Sequence, residues 1–336
     1  MRLHYRHLLP WFALAVIALV ATVALGPMLA PPPPPTPTPM PSATQTVIPT
    51  ALPTSSPTPN PTVDPGRLDE LTGRILFTSV RNDATELYAM DANGRNLRQL
   101  TDNRAADWVA KWSPGGDRIA FVSNRDGDYE IFVMNADGSN PIQLTHNEHM
   151  DTSPVWSSTG DLIAFSSWPE GGFDIYVMRP DGQGVLQLGY SGTSAEVHAH
   201  SWSADGVLLL SAEWDGDFEI YALNVQTTDL RITQLTDNSF YDGSPDWSPD
   251  GKRIVFDSDR DGNGEIYVMD ADGSNVVRLT NDPGQDYMPR WSPDGRHIGF
   301  TSSRDGNSEI YVMDADGSNL TRITQNAYLD ILEDWK

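Results

Sequence analysis

The chain has 336 residues, no cysteine, and 46 acidic against 22 basic side chains, which gives a formal net charge of −24 at pH 7. A charge of this sign repels phosphate groups, so it argues against nucleic-acid binding and adhesion to anionic membrane surfaces, and it favours cations or basic proteins as partners. The lack of cysteine excludes disulfides, thiolate metal sites, a thiol nucleophile and a lipidated cysteine anchor.

The chain begins with a basic and then apolar segment. Arg2 and Arg6 precede residues 8–25, which are apolar except for Thr22. This run exceeds the about 7–15 apolar residues of a secretory signal and approaches the about 20 that cross a bilayer. Thr22-Val23-Ala24 could serve as a cleavage site, but the other small residues, Gly26 and Ala30, are each followed by proline, so we expect residues 1–30 to be an uncleaved signal-anchor helix. That helix would be the only membrane contact, with the body outside the cytoplasm. Secretion after signal cleavage is the alternative.

A spacer is expected next. Residues 31–66 are rich in proline, threonine and serine and have too few apolar side chains to form a core, so they are expected to be a disordered linker. In polyproline II geometry, at about 3.1 Å per residue, such a linker would lift the body well away from a bilayer. Residues 67–336 then form the folded domain.

The domain consists of repeats. Residues 247–280 and 291–324 are near copies of each other, and fainter copies fill the rest. One tryptophan recurs in each copy, spaced 44, 46, 45, 44 and 44 residues apart, at Trp112, Trp156, Trp202, Trp247, Trp291 and Trp335. Periods of about 40–45 residues that contain four short strands are typical of β-propeller blades. We expect these tryptophans to belong to the core.

The strands within a repeat can be placed from their alternation and their turns. Ile119 and Phe121 alternate with smaller residues, as expected of a half-buried second strand, and a third strand such as Ile-Tyr-Val-Met follows. Asp-Gly pairs between them supply the positive φ of tight hairpins. The first repeat lacks a tryptophan strand and the chain ends with a lone one, so we expect an all-β, six-bladed propeller closed by the C-terminal strand.

These motifs carry a family resemblance. The segment from Trp-Ser-Pro-Asp-Gly at 247–251 through Glu-Ile-Tyr-Val-Met at 265–269 resembles the WD40-like PD40 repeat of TolB-like propellers. The motif is degraded in the third and fourth repeats, and the small α/β domain that precedes the propeller in TolB is expected to be absent. The resemblance implies the propeller fold, a location in the cell envelope and a binding role.

A ring of carboxylates is the candidate metal site. An aspartate stands five residues before the tryptophan in every repeat except the fourth, which has Val197, and it is placed where the innermost strand leaves the upper face. The upper face is the one that carries the hairpins between second and third strands. Such a ring could gather Ca²⁺ at the channel mouth, or it could cap backbone amides in a purely structural role. Its members are Asp107, Asp151, Asp242, Asp286 and Asp330.

The positions that break the repeat are the candidate ligand site. By sequence, Trp168 and Trp214 stand where other repeats have arginine, and the longer connection into the fourth blade carries Tyr190, His198 and His200. Aromatic rings beside histidines on one face would suit a sugar, a peptide or a metal. Drift in a decayed repeat is the alternative.

Two functions compete at this point. The first is an envelope scaffold or binding module that takes a protein or glycan, requires no cofactor and has no catalytic residues. The second is a metal-dependent polysaccharide lyase or hydrolase that acts in the channel. The sequence contains no G-x-S-x-G motif and no acid–base pair outside the repeated positions, which favours binding.

Overall fold

The computed structural model describes residues 65–81, 84–169, 172–188, 196–214, 216–226 and 230–336. The expected anchor helix and proline-rich linker therefore lie outside the described residues, apart from the last residues before the domain. A short helix, α1 (Pro65–Leu68), precedes the first strand. Within the described ranges, no helix is long and apolar enough to cross a membrane.

The domain is a ring of four-stranded antiparallel sheets, and in each blade the strands follow one another from the channel outward. Blade 1 contains, in this order, β24 (Leu329–Trp335), β1 (Arg74–Arg81), β2 (Ala84–Asp91) and β3 (Arg98–Gln99). Blade 2 contains β4 (Asp107–Trp112), β5 (Arg118–Ser123), β6 (Glu130–Asn135) and β7 (Ile142–Gln143). Blade 3 contains β8 (Met150–Trp156), β9 (Ile163–Trp168), β10 (Asp174–Met178) and β11 (Leu186–Gln187).

The second half of the ring repeats this order. Blade 4 contains β12 (Val197–Trp202), β13 (Val207–Ala212), β14 (Glu219–Asn224) and β15 (Arg231–Gln234). Blade 5 contains β16 (Asp242–Trp247), β17 (Arg253–Ser258), β18 (Glu265–Asp270) and β19 (Val277–Arg278). Blade 6 contains β20 (Asp286–Trp291), β21 (His297–Ser302), β22 (Glu309–Asp314) and β23 (Thr321–Arg322). The predicted six-bladed fold is confirmed.

The C-terminal strand closes the ring as predicted. β24 pairs antiparallel with β1, in a register that runs from Ile75 opposite Trp335 to Val80 opposite Leu329. The indole of Trp335 also donates a 2.9 Å hydrogen bond to the carbonyl of Thr72, just before β1. The two ends of the domain thus hydrogen-bond to each other, and the sheet edges that an open array would expose are paired.

The core lies between neighbouring blades, which corrects one expectation. The second strands are buried on both faces: in β5, the side chains of Ile119, Ala120, Phe121 and Val122 are all fully buried. The larger side chains of this strand pack against one neighbouring blade. The smaller side chains pack against the core tryptophan of the blade on the other side. A Cβ added at Gly299 in β21 would lie 3.1 Å from the ring of Trp335. Alternation therefore reflects two different packing partners rather than one solvated face.

Candidate functional site

The ring aspartates of four blades are buried and held by arginines. Each forms an ion pair with an arginine from the hairpin between the second and third strands of its own blade. The nitrogen–oxygen distances are 3.1 Å for Arg125–Asp107, 2.7 Å for Arg260–Asp242, 2.6 Å for Arg304–Asp286 and 3.7 Å for Arg81–Asp330. The guanidinium group also lies over an aromatic ring of the third strand, as where Cζ of Arg260 lies 4.9 Å from the centre of the Tyr267 ring.

The remaining oxygens of these carboxylates also have protein partners. Asn103, Asn238 and Asn326, each four residues earlier, donate side-chain hydrogen bonds of 2.6–2.7 Å to Asp107, Asp242 and Asp330. In blade 6, the Ser302 hydroxyl donates to Asp286 at 2.6 Å. A cation at these four positions would have to displace an arginine, so the contacts favour the structural alternative for them.

A second acidic column was missed in the sequence. In five blades, a buried glutamate at or near the start of the third strand lies beside the loop leading into the next blade, as where Glu219 accepts the backbone amide of Asn238 at 2.5 Å. Burial, together with the nearby charge of Asp242, raises the pKa of Glu219 to about 8. The repeated glutamate in Glu-Ile-Tyr-Val-Met was the available signal, because a charged residue at the start of a buried strand needs partners. The members are Glu86, Glu130, Glu219, Glu265 and Glu309.

Trp168 is exposed, and its predicted alignment with arginine is wrong. Asp151 pairs with Ser167 in the sheet, as Asp107 pairs with Ser123, so the counterpart of Arg125 is Pro169 and that of Asn124 is Trp168. Asn124 accepts a backbone hydrogen bond that an indole cannot accept. The Trp168 ring instead turns outward, remains 52% exposed and stacks on Phe173 with centroids 5.3 Å apart.

A continuous row of rings extends from Trp168 across the upper face. Phe173 contacts His198 at 5.6 Å between centroids, His198 stacks on Phe218 at 6.0 Å, and Phe218 contacts Tyr241 at 5.7 Å. We call these five residues of blades 3, 4 and 5 the aromatic row. The structure therefore brings Trp168 and His198 together through Phe173. Phe173, Phe218 and Tyr241 were missed because each directly precedes a strand and is not distinctive within its own repeat.

The other predicted ligand residues lie elsewhere. Trp214 does occupy the arginine position of blade 4, and it packs on Tyr221 with centroids 4.3 Å apart, as the arginines pack on their third-strand rings. That contact favours a structural role for Trp214. Tyr190 lies outside the described residues.

His200 faces a charged part of the channel. Its Nε2 lies 2.7 Å from the Ser211 hydroxyl, and burial, reinforced by His198, Arg290 and Lys111, lowers the pKa of His200 well below its ordinary value. The His198 ring has different partners, with Nδ1 3.3 Å from the Ser153 hydroxyl. The two imidazole rings meet edge to face, with centroids 6.5 Å apart, but their nitrogens have different partners, and the cations beside His200 oppose the binding of a metal ion there.

The channel cations also tie the innermost strands together. Lys111 of blade 2 and Arg290 of blade 6 both donate hydrogen bonds of 2.9 Å to the backbone carbonyl of Glu333 in blade 1. Both side chains are buried, and burial next to Arg290 lowers the pKa of Lys111. These contacts span three neighbouring blades at the seam where the chain ends meet, so they support ring closure.

A match to a protein-family model shows the family to which this chain belongs. The model described as the TolB beta propeller domain (PD40) matches residues 70–196, 109–239, 193–282 and 242–335, which together cover most of the chain. The chain belongs to the TolB β-propeller family.

Individual relatives of this TolB-family chain are distant. The uncharacterized protein Atu1656 of Agrobacterium fabrum is 38% identical over 80 residues, which is 24% of this chain and 27% of that protein. TolB from Acinetobacter baumannii has a TM-score of 0.70 at 20% identity, over 79% of this chain and 67% of that one. Hydrazine synthase from Kuenenia stuttgartiensis has a TM-score of 0.65 at 17% identity, over 80% and 47% of the two chains. These structures share the fold.

Proposed function

We propose that this TolB-family propeller is a scaffold or binding module of the cell envelope that takes a protein or glycan on the aromatic row of its upper face. The observation that carries the proposal is the exposed Trp168 ring on a buried Phe173. An aromatic side chain of this size that stays about half exposed favours an interaction site over a structural role.

The support beneath Trp168 is rigid. Phe173, on which the exposed indole stacks, is 8% exposed and belongs to a buried core cluster of blades 3 and 4. A preorganised ring loses little conformational entropy when a sugar ring or an apolar side chain stacks on it. The net charge of −24 favours a neutral or basic partner.

The membrane tether is part of the same proposal. Residues 1–30 would anchor the chain, and the proline-rich residues 31–66 would hold the propeller away from the bilayer, where it can meet envelope components. The apolar length and the basic flank of the N-terminal segment support this arrangement.

The contacts support binding over the rival channel enzyme. A metal-dependent lyase would require His198 and His200 to share an ion, but their nitrogens have separate partners and Lys111 and Arg290 lie near His200. Among the described residues, the group close enough to hold a metal ion is Asp126, Asp128 and Glu130, which lies on another blade.

The test is a binding screen with a matched variant. The full-length chain would be screened against defined glycans and against neutral and basic peptides, and every hit would be measured again with Trp168→Ala. Loss of a central aromatic anchor should weaken binding by at least about tenfold. Tyr328→Ala is the control, because Tyr328 is also aromatic and 41% exposed but lies beside blade 1. Equal binding by both variants and the parent chain would refute the proposal.

A further inference from the structure

Asp151 is the ring aspartate that lacks an arginine. It is fully buried, and its Oδ2 accepts a 2.7 Å hydrogen bond from Asn147. Its Oδ1 is buried without a hydrogen-bond partner in the described part of the chain. In blades 1, 2, 5 and 6 an arginine neutralises the equivalent carboxylate, whereas blade 3 has the uncharged Pro169 at that position. A buried carboxylate in this state lacks its compensating charge.

Glu130 lies beside Asp151 and has an unpaired oxygen of its own. The backbone amide of Asp151 donates to the carbonyl of Tyr129 at 2.8 Å, which fixes the start of β8 next to Glu130. Glu130 is 1% exposed, and its Oε1 accepts the amide of Asn147 at 2.7 Å. Its Oε2 is buried without a hydrogen bond of ordinary geometry among the residues described, as are the equivalent oxygens of Glu86 and Glu309, and the carboxylate lies beside the Thr145 hydroxyl and the carboxylate of Asp151. Burial, with a further contribution from Asp151, raises the pKa of Glu130 to about 7.

The hairpin before Glu130 adds two more carboxylates. One oxygen each from Asp126, Asp128 and Glu130 can be chosen so that all three atoms lie within 4.8 Å of one another. Exposure decreases along this Asp-Gly-Asp-Tyr-Glu segment, from the exposed Asp126 through the half-buried Asp128 to the buried Glu130. The segment therefore leads from solvent to the two unpaired oxygens.

The corresponding hairpins of blades 5 and 6 show what is missing. There, Asn263 and Asn307 replace Asp128, and their amides donate to Glu265 and Glu309 at 3.2 and 3.0 Å. Arginines on the outermost strands also donate to these glutamates, Arg278 at 2.7 Å and Arg322 at 3.0 Å.

At the boundary of blades 2 and 3 each of these donors has been replaced. Gln143 occupies the outer arginine position, as glutamine does in blades 1, 3 and 4, and donates to Asp126. Asp128 stands at the asparagine position, as Asp217 does in blade 4, and Pro169 replaces the inner arginine. Two of the replacements remove a cation and one adds a carboxylate, all around the same buried pair.

We propose that Asp126, Asp128, Glu130 and Asp151 form a Ca²⁺ site between blades 2 and 3. Hard cations take oxygen ligands, and Ca²⁺ accepts six to eight of them in flexible geometry, which suits carboxylates from a hairpin and a neighbouring strand. The ion supplies the charge that arginine supplies in blades 1, 2, 5 and 6. The site lies at a blade boundary and differs from a cation at the channel mouth shared by the whole aspartate ring.

Calcium titration of the full-length chain by calorimetry, at constant ionic strength, tests the site. We expect one Ca²⁺ per chain, with Mg²⁺ binding more weakly because it demands stricter octahedral geometry. Asp128→Asn and Pro169→Arg should each weaken calcium binding by at least about tenfold. Asp137→Asn, the same charge change on an exposed turn of blade 2, should bind as the parent chain does.

Melting temperatures without calcium separate a ligand site from a merely structural cluster. Asp128→Asn and Pro169→Arg should raise the melting temperature of the calcium-free protein, because both relieve repulsion between unpaired carboxylates. Calcium should raise the melting temperature of the parent chain and leave these two variants nearly unchanged. A parent chain that does not bind calcium, or variants that bind it with unchanged affinity, would overturn the proposal. Preferential binding of Mg²⁺ would overturn the assignment to calcium.

Discussion

One guanidinium nitrogen of Arg125 donates to both oxygens of Asp107 at 3.1 Å, and the carboxylate that it holds is fully buried at the start of the innermost strand of blade 2. The same pair recurs in blades 5 and 6. Because the arginine belongs to the hairpin of the second and third strands, each pair fastens that hairpin to the channel strand of its own blade.

Loss of one of these arginines should destabilise the propeller. Arg260→Met leaves the carboxylate of Asp242 buried, and we expect the free energy of unfolding to fall by about 2–3 kcal/mol, below the cost for a fully buried pair because Arg260 is 22% exposed. Denaturant unfolding would measure the change. Arg296→Met removes an exposed arginine and serves as the control. An Arg260→Met protein as stable as this control would contradict the structural role of the ring.

Stability should rise as the pH falls from 8.5 toward 5.5. The pKa of Glu219 is raised to about 8, from an ordinary value of 4.5, chiefly by burial. Between these values the folded chain keeps a proton that the unfolded chain has lost, so the free energy of unfolding decreases as pH rises. Glu130, with a pKa of about 7, and Asp257, with a pKa of about 6, act in the same direction.

The Glu219→Gln variant isolates one part of this dependence. The glutamine side chain does not ionise in this pH range. The decrease in melting temperature between pH 6 and pH 8.5 should therefore be smaller than in the parent chain. Asp272→Asn removes an exposed carboxylate and should retain the parent profile. Identical profiles for Glu219→Gln and the parent chain would mean that Glu219 is ionised in the folded state throughout this range.

Ring closure can be tested at a single tryptophan. Trp335 is 5% exposed, packs on Gly299 and donates to Thr72, so Trp335→Ala both opens a cavity and removes a bond across the seam. We expect a loss of about 3–5 kcal/mol, the usual cost of truncating a buried tryptophan. Thermal unfolding followed by circular dichroism would show a much lower transition. A transition within a degree of the parent value would argue against closure by β24.

Much of the fold could be predicted because each blade repeats its own pattern. The tryptophan period, the Asp-Gly hairpins and the unpaired first and last strands were enough to predict six blades and their closure. The two-sided burial of strands such as β5 was not evident, since small residues that face a neighbouring tryptophan look like solvent-facing positions in the sequence.

The candidate site was only partly predictable, for a different reason. Trp168 and His198 stood out because they break the repeat, but their link through Phe173 depends on packing between two blades. The alignment of Trp168 with arginine failed because Trp168 lies 12 residues after Trp156, whereas Arg125, Arg260 and Arg304 each lie 13 residues after the tryptophan of their blade. The register of Asp151 opposite Ser167 shows the same one-residue difference. The neighbouring carboxylates of Glu130 and Asp151 likewise belong to different blades.

The anchor proposal makes a simple analytical prediction. Intact-mass analysis of the membrane fraction should show a chain that retains residues 1–30, because the apolar run is longer than a secretory signal needs and proline obstructs cleavage after Gly26 and Ala30. Replacing the apolar residues 8–25 with a cleavable signal is the control and should release the propeller into the soluble fraction. A soluble native species that begins near residue 25 or 31 would contradict the anchor.

Hydrogen exchange with a bound ligand tests the central claim, that the aromatic row is the binding surface. The full-length chain would be compared with and without the strongest ligand from the glycan and peptide screen. The account predicts slower exchange in residues 163–178 and 197–202, which flank Trp168 and His198, and no change in the equivalent hairpin of blade 6, residues 298–313. Protection confined to blade 6, or to the outermost strands, with none near Trp168 would contradict it.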